Sequence, residues 1–493
     1  MPNARAAVAA AVLALAGANP ASATLTFTGL WEVPGGAVDL SGFGPGANAG
    51  RLNIGSDLFY DRATNSFWGL PDREPGGGLI DFAPRVHRFG LTLSPTGTIT
   101  GFNLLQTVVF TRDGLPFTGL NPRLATGSAA NLGRSLDPEG LVVLPNGNFL
   151  VNDEYGPSLY EFAPDGIFIR AFRTPDNLLP REPGGNLNFV DGRPTIDRGR
   201  QDNRGFEGLT ISNDGRTVIG ILQDPLVSEG APDGRRSRNL RIVTYDYATG
   251  EPGAQYIYQL EALADINARV PGSPFGVNAQ GRNIGVSAIT MLPSGKLLVV
   301  ERDNRGFGIE DPTATGAPVG TKRVYLISLA GATDVSAIDL TGTNALPAGV
   351  RPVSKILFLD AQAALQAAGV PVGEKIEGIA FGPWVQGGLS MFLVTDNDFS
   401  VTQTGAGVQF DICTSGVGGR SFQIPLNGIC PEGTALIPSF IYGFRVSGAS
   451  LAAVVPEPAT WALLVSGFGV VGGALRLRGR RAALAGRGGL PRA

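Results

Sequence analysis

A β-propeller of five or six four-stranded blades is the fold class this sequence predicts, and three observations predict it. An apolar–turn–apolar unit recurs along the 493 residues. Its turns carry glycine beside Pro, Asn, Asp or Ser, the chemistry tight hairpins need. With 71 glycines and 36 prolines the chain is rich in turns, and one short stretch, Asp360–Gly369 (DAQAALQAAG), reads as an amphipathic helix.

Four copies of the unit align on their turns: EGLVVLPNGNFLVNDE from Glu139, EGLTISNDGRTVIGILQD from Glu207, SAITMLPSGKLLVVERD from Ser287, and EGIAFGPWVQGGLSMFLVTDND from Glu377. A weaker copy, SDLFYDRATNSFWGLPDRE, starts at Ser56. The runs beside each turn, such as Val142-Val143-Leu144 and Leu297–Val300, are almost continuously apolar, as strands buried on both faces are. Further strand patterns follow at 158–162, 167–172, 240–246 and 322–329, completing four-stranded units. One such sheet cannot bury both its faces, whereas a ring of them can. A sandwich or barrel of hairpins fits the strands but not their recurrence. Spacings of 68 to 90 residues between copies exceed a compact blade of roughly 40–50 residues, so insertions such as 229–238 and 306–320 hang from the loops.

The two ends read as processing signals. Met1–Ala23 has Arg5, the apolar run 6–17 and the small residues Ala21-Ser22-Ala23, which is the layout of a cleaved signal peptide. At the other end VPEPATWALLVSGFGVVGGALRLRGRR spans 455–481, with an apolar run at 461–475 before an arginine cluster and a basic tail at 482–493. That run is shorter than a comfortable membrane span and predicts a transient anchor. The order Pro-Glu-Pro, apolar helix, arginines resembles the PEP-CTERM sorting signal of Gram-negative bacteria. The resemblance implies processing by an exosortase and a final place at the cell surface or in the extracellular matrix. The propeller is expected over 24–450, as a monomer. Trimming seven arginines and one glutamate with the ends moves the formal net charge from −3 to −9, which argues against nucleic acid as partner. Cys413 and Cys430 are the only cysteines, and in an exported chain they are expected to form one disulfide.

Two pentapeptides repeat: DNRGF at 202–206 and 303–307, and REPGG at 73–77 and 181–185. In an up-and-down blade the start of the first strand, the loop after the second and the crossover to the next blade share one face, so all four copies fall on one rim. That rim gathers Asp72, Glu74, Glu139, Asp153, Glu154, Glu207, Asp224, Glu301, Asp303, Glu377, Asp396 and Asp398, with Arg73, Arg181, Arg204, Arg302 and Arg305 among them. Two-residue turns at Asn146-Gly147 and Ser294-Gly295 would set Glu139 opposite Glu154, Ser287 opposite Arg302 and Val286 opposite Asp303. Any single charged turn is ordinary surface content. Carboxylates gathered around one mouth, however, repel unless a cation compensates, and oxygen-only clusters such as Asp396-Asn397-Asp398 suit Ca²⁺. Asp153, Glu154, Asp303, Asp396 and Asp398 are the expected metal ligands.

Together YDRATNSFWGLPDR, DPEGL with PNGNFLVNDEYGPSLYEFAPDG, NRGFEGLTIS, ERDNRGFG and KIEGIAFGP resemble the "esterase-like activity of phytase" family over about residues 41–447. The resemblance implies a propeller and hydrolysis of phosphoesters or carboxylesters, and carries over no catalytic residues. A Ser-His-Asp triad is disfavoured because the single histidine, His87, lies in a strand-like run, and zinc lacks a ligand set. What remains is cation-assisted hydrolysis, with Glu139, Glu207 and Glu377 as ligands or general base and Arg204, Arg302 and Arg305 clamping the phosphate. The alternatives are a non-enzymatic matrix or surface propeller with structural calcium, held among exopolysaccharide, and a lactonase-type esterase.

Overall fold

The computed structural model describes residues 24–44, 50–73, 75–124, 133–404 and 407–455. The expected N-terminal signal, almost all of the expected C-terminal sorting segment and basic tail, and Glu74 lie outside the described residues. Among the described residues six four-stranded antiparallel sheets form, and five of them are the blades. Blade 1 runs Asp57–Asp61, Ser66–Leu70, Arg85–Leu93 and Ile99–Val109, and blade 2 runs Pro138–Val143, Phe149–Asp153, Leu159–Phe162 and Phe168–Ala171. Blade 3 is Phe206–Ile211, Thr217–Leu222, Asn239–Asp246 and Pro252–Gln259; blade 4 is Ile284–Met291, Leu297–Asp303, Lys322–Ser328 and Ser354–Asp360. Blade 5 takes Lys375–Val385, Gly388–Asp396 and Ser439–Ser447 from the end of the chain. Its outermost strand, Thr24–Val33, comes from the beginning and pairs Phe27 with Phe444 and Val33 with Ser439.

Closure of the ring is visible in the packing. Five apolar cores lie between the blades, one at each junction. Trp68 and Val86 meet Phe149 and Val151 between blades 1 and 2. Leu150 meets Leu209 and Val218 at the next junction, and Ile219 meets Ile289 and Val299 at the one after. Leu298 meets Ile376 and Met391, and Phe392 and Ile441 return to Phe67 and Phe89 of blade 1. Sheets buried on both faces need near-continuous apolar strands, which is why the recurring unit looks as it does.

The insertion between the second and third strands of blade 5 forms a small sheet, Val401–Gln403, Gln409–Thr414 and Ser421–Pro425, stapled by the Cys413–Cys430 disulfide. A buried Arg51–Asp411 ion pair at 2.7 Å ties it to the ring. Asp360 caps the helix Ala361–Ala367 by accepting from the Ala363 N–H, as the sequence suggests. Helices at Leu263–Arg269 and Gly448–Val454 are additions the sequence pattern did not reveal. Among the described residues no helix is long and apolar enough to cross a membrane.

Candidate functional site: the acidic mouth of the axis

The expected register is wrong in an informative way. The turns are three-residue loops, Pro145–Gly147 and Pro293–Gly295, each closed by a glycine at positive φ (86° and 79°). Beyond them, the innermost pair of blades 2, 3, 4 and 5 slips by one residue at one equivalent place: Glu139-Gly140, Glu207, Ser287 and Glu377. Pro138 therefore faces Asp153, Val286 faces Glu301, and Ile284 faces Asp303. Blade 1 pairs without a break from Asp57–Leu70 to Asp61–Ser66. A bulge re-aims the side chain of its extra residue, and in three blades that residue is a glutamate. The glycine that follows has its own reason. A Cβ on Gly140 would lie 2.7 Å from the Leu209 nitrogen, and one on Gly208 would lie 2.6 Å from the Ile289 nitrogen. The Glu-Gly pair thus turns a carboxylate toward the axis while letting the next blade's backbone close in.

The bulged glutamates open onto a cavity of about 210 Å³ at this end of the axis. Among the described residues, Asp72, Glu139, Glu154, Glu207, Glu310, Glu374 and Glu377 line it, against Arg73, Arg204, Arg282, Arg302 and Lys375. Seven carboxyl groups thus face five basic side chains.

The cavity divides into three neighbourhoods. In the first, Asp72, Asp137 and Glu139 bring carboxylate oxygens within 4.8 Å of one another. Here Arg73 contacts Asp137 at 2.7 Å and Glu154 at 3.6 Å, and donates to Asn203. In the second, Asp72, Asp396 and Asp398 cluster in the same way, and the Lys375 ammonium sits among them at 3.9, 3.1 and 2.6 Å. In the third, Arg302 pairs with Glu377 and lies 3.7 Å from Glu207, whose Oε1 also accepts from Gln223 at 2.5 Å. Buried oxygens of Asp72 (Oδ1), Glu154 (Oε1), Glu207 (Oε2) and Glu377 (Oε2) accept no hydrogen bond, and such oxygens are costly unless something positive meets them.

Burial and mutual repulsion set the proton affinities. Glu139 is pushed well above the usual carboxylate range by burial, then by Glu207, Asp137, Glu377 and Glu154. Burial and the neighbouring Glu377 raise Glu207 to about 8, although Arg302 and Gln223 pull the other way. Asp72 is raised well above its range by burial and Asp396. Burial alone would raise Asp396, but Lys375 and the Asn53 amide hold it below its usual value.

Glu139, Glu154, Glu207, Glu377, Arg204 and Arg302 therefore line the mouth as expected. Several other expected members do not. Asp153 spends its carboxylate on the backbone N–H groups of Asp137, Tyr155 and Gly156. Asp303 accepts from the Gly320 and Thr321 N–H groups and pairs with buried Lys322. Both anchor loops, because a carboxylate at a strand end beside free N–H donors caps them. Asp396 and Asp398 close around the Lys375 ammonium. Arg305 turns outward to the Ser273 and Pro318 carbonyls and stacks on Phe275 at 3.6 Å, since the segment around Phe275 covers that turn. Glu301 faces Tyr258 and Lys355 between blades, and Arg181 bonds the Gly185 carbonyl of its own turn. Asp224 lies beside Arg204 at 3.5 Å. From the two DNRGF copies Asn203, Arg204 and Asn304 reach the cavity. Sequence reasoning missed Asp137, Gln223, Arg282, Glu310, Glu374 and Lys375. Asp137 and Lys375 each stand two residues before a bulged glutamate, in DPEG and KIEG, and that shared offset was the available signal.

The sequence profile of the family described as phytase-like, esterase-like activity of phytase, matches residues 52–399, which hold the first strand pair of every blade and the acidic mouth. The chain belongs to this phytase-like family. A relative from Arthroderma benhamiae, described as an uncharacterized secreted protein, is 30% identical over 327 residues, which is 56% of this phytase-like chain and 62% of the relative. The chain thus spans less than two thirds of that relative's length. Among solved structures, the periplasmic gluconolactonase PpgL of Pseudomonas aeruginosa has 12% identity and a TM-score of 0.29, covering 84% of this chain and 100% of that one. Virginiamycin B lyase of Staphylococcus aureus has 10% identity and a TM-score of 0.28, covering 84% and 98%. Likeness at this level carries nothing about chemistry.

Proposed function

We propose that this chain is an exported phytase-like propeller that hydrolyses phosphoesters at its acidic mouth with the help of a divalent cation. The observation that carries the reading is the set of buried, unpartnered carboxylate oxygens around a cavity lined by seven carboxyl groups and five basic side chains. Its all-oxygen donors fit a hard ion such as Ca²⁺, with Asp72, Asp137, Glu139 and Glu154 as the residues that would hold it. When bound, such an ion polarises a phosphoryl oxygen and lowers the cost of activating water.

The protein's own groups do the rest. Arg282 is exposed at the lip and Arg204 is half-buried beside it, so these two guanidiniums receive the anionic oxygens of the substrate. Arg302 is not a free clamp, because it is held between Glu207 and Glu377 and keeps those carboxylates in place. Glu207 holds a proton near neutral pH and donates it to the departing alkoxide. Export is supported by the secreted relative and by the signal-like first 23 residues. Residence at a Gram-negative surface through exosortase processing extends that reading, and cell fractionation with and without residues 455–493 tests it.

The activity test uses purified protein with a generic phosphomonoester, phytate and an aryl ester, each with Ca²⁺ and with chelator. Phosphate release abolished by chelator is the expected result. Cleavage of the aryl ester alone makes the protein an esterase. Intact substrates, with chelator lowering the melting temperature, make it a binding module with structural calcium.

A further inference from the structure

Two carboxylate clusters share Asp72, and they are not equivalent. On one side, Asp396 and Asp398 close around the Lys375 ammonium at 3.1 and 2.6 Å, with Asp72 at 3.9 Å. Those three carboxylates bring oxygens within 4.8 Å of one another, the span of a metal ligand set. The cation there belongs to the chain. On the other side, Asp72, Asp137 and Glu139 approach equally closely. Among the described residues, the guanidinium in contact with that side is Arg73, and it is shared with Glu154 and Asn203. Asp72 Oδ1 and, from outside the cluster, Glu154 Oε1 are buried there without any hydrogen-bond partner. An unpartnered carboxylate oxygen at full burial asks for a ligand that donates no proton, and a metal ion is such a ligand.

We propose that the mouth is a two-cation site in which the Lys375 ammonium permanently fills one position and a single divalent ion takes the other, with Asp72 shared between them. Lys375 is on this view a positioning residue. It supplies the charge of a second ion without exchanging with solvent, and it fixes the Asp72 carboxylate for the ion beside it. The flexible four-carbon stem of lysine suits this role, since a compact ammonium replaces a spherical ion better than a planar guanidinium does. The proposal rests on the reading that a divalent ion enters the mouth, but the two fail differently.

Equilibrium dialysis of the full chain against ⁴⁵Ca²⁺ tests it. Wild type is expected to bind one ion per chain. Lys375→Met removes the charge and keeps the length, so it is expected to bind two, and Lys375→Met combined with Asp396→Asn returns to one. Asp72→Asn is expected to weaken the wild-type ion at least tenfold. Two ions in wild type, or one in folded Lys375→Met, would overturn the assignment of Lys375. No ion in wild type overturns this proposal and cation-assisted hydrolysis together, whereas one ion without hydrolysis leaves this proposal standing and sinks only the proposed activity. If Lys375→Met does not fold, Lys375→Gln and the wild-type stoichiometry decide the matter.

Discussion

The same five inner strands build two unlike ends of one axis. At their beginnings the bulged Glu139, Glu207 and Glu377 face a charged cavity of about 210 Å³. At their far ends Leu58, Phe59, Leu141, Val143, Leu209, Ile211, Ile289, Met291 and Ile379 line an apolar mouth of about 610 Å³. Three residues of strand separate Glu207 from Ile211. The contrast teaches where stability and chemistry reside. The apolar end and the cores between blades supply burial, and they carry an acidic end that opposes folding whenever its carboxylates ionise without a counter-ion.

Mutations at the two ends should therefore separate. The largest effect is expected from Leu209→Ala, which empties a buried contact between blades 2 and 3. It should cost about 3 kcal/mol in denaturant melts while the chelator-sensitive activity of the folded protein stays unchanged; a matching loss of activity would erase the division. Next comes Glu207→Gln, which removes the donor of the proton. It should lower kcat about 100-fold, or about 2.7 kcal/mol, with folding intact.

The pH dependence sharpens the same contrast. Glu207 is raised to about 8 in the folded chain, against about 4.3 when unfolded. A raised acid contributes stability that is fully present below its unfolded value and lost as pH rises through its folded one. Wild type in chelator should lose stability steadily as pH rises from 5 to 8 through this group, and Glu207→Gln should flatten that slope in urea melts at each pH. The smallest effect is expected at the lip, where Arg282→Ala should raise KM for a phosphomonoester about tenfold, or about 1.4 kcal/mol, with kcat unchanged. A fall in kcat instead would move Arg282 from binding to chemistry.

The recurring hairpin carried the fold because its turn chemistry and apolar runs are local, readable within twenty residues. The strand that completes blade 5 was not readable, since Thr24–Val33 finds its partner more than 400 positions away. Glu139, Glu207 and Glu377 were found through the repeat, but their register was not. A one-residue bulge leaves no mark on composition, and the extra loop residue shifts every partner by one. Asp396-Asn397-Asp398 reads as a calcium loop in sequence. Only the fold brings Lys375 into it, because the two lie on neighbouring strands joined by Lys375–Asp396 pairing. Arg305 repeats the surroundings of Arg204 letter for letter and still faces elsewhere, because one copy precedes a first strand and the other follows a second.

Blade 5 is a seam sewn from both extremities of the described chain. Two of its four strands, Thr24–Val33 and Ser439–Ser447, pair across more than 400 positions, so the sheet whose inner strand carries Glu377 is complete only when the two ends have met. A protease that trims the protein up to Val33 would unpick that seam, and cation affinity would go with it.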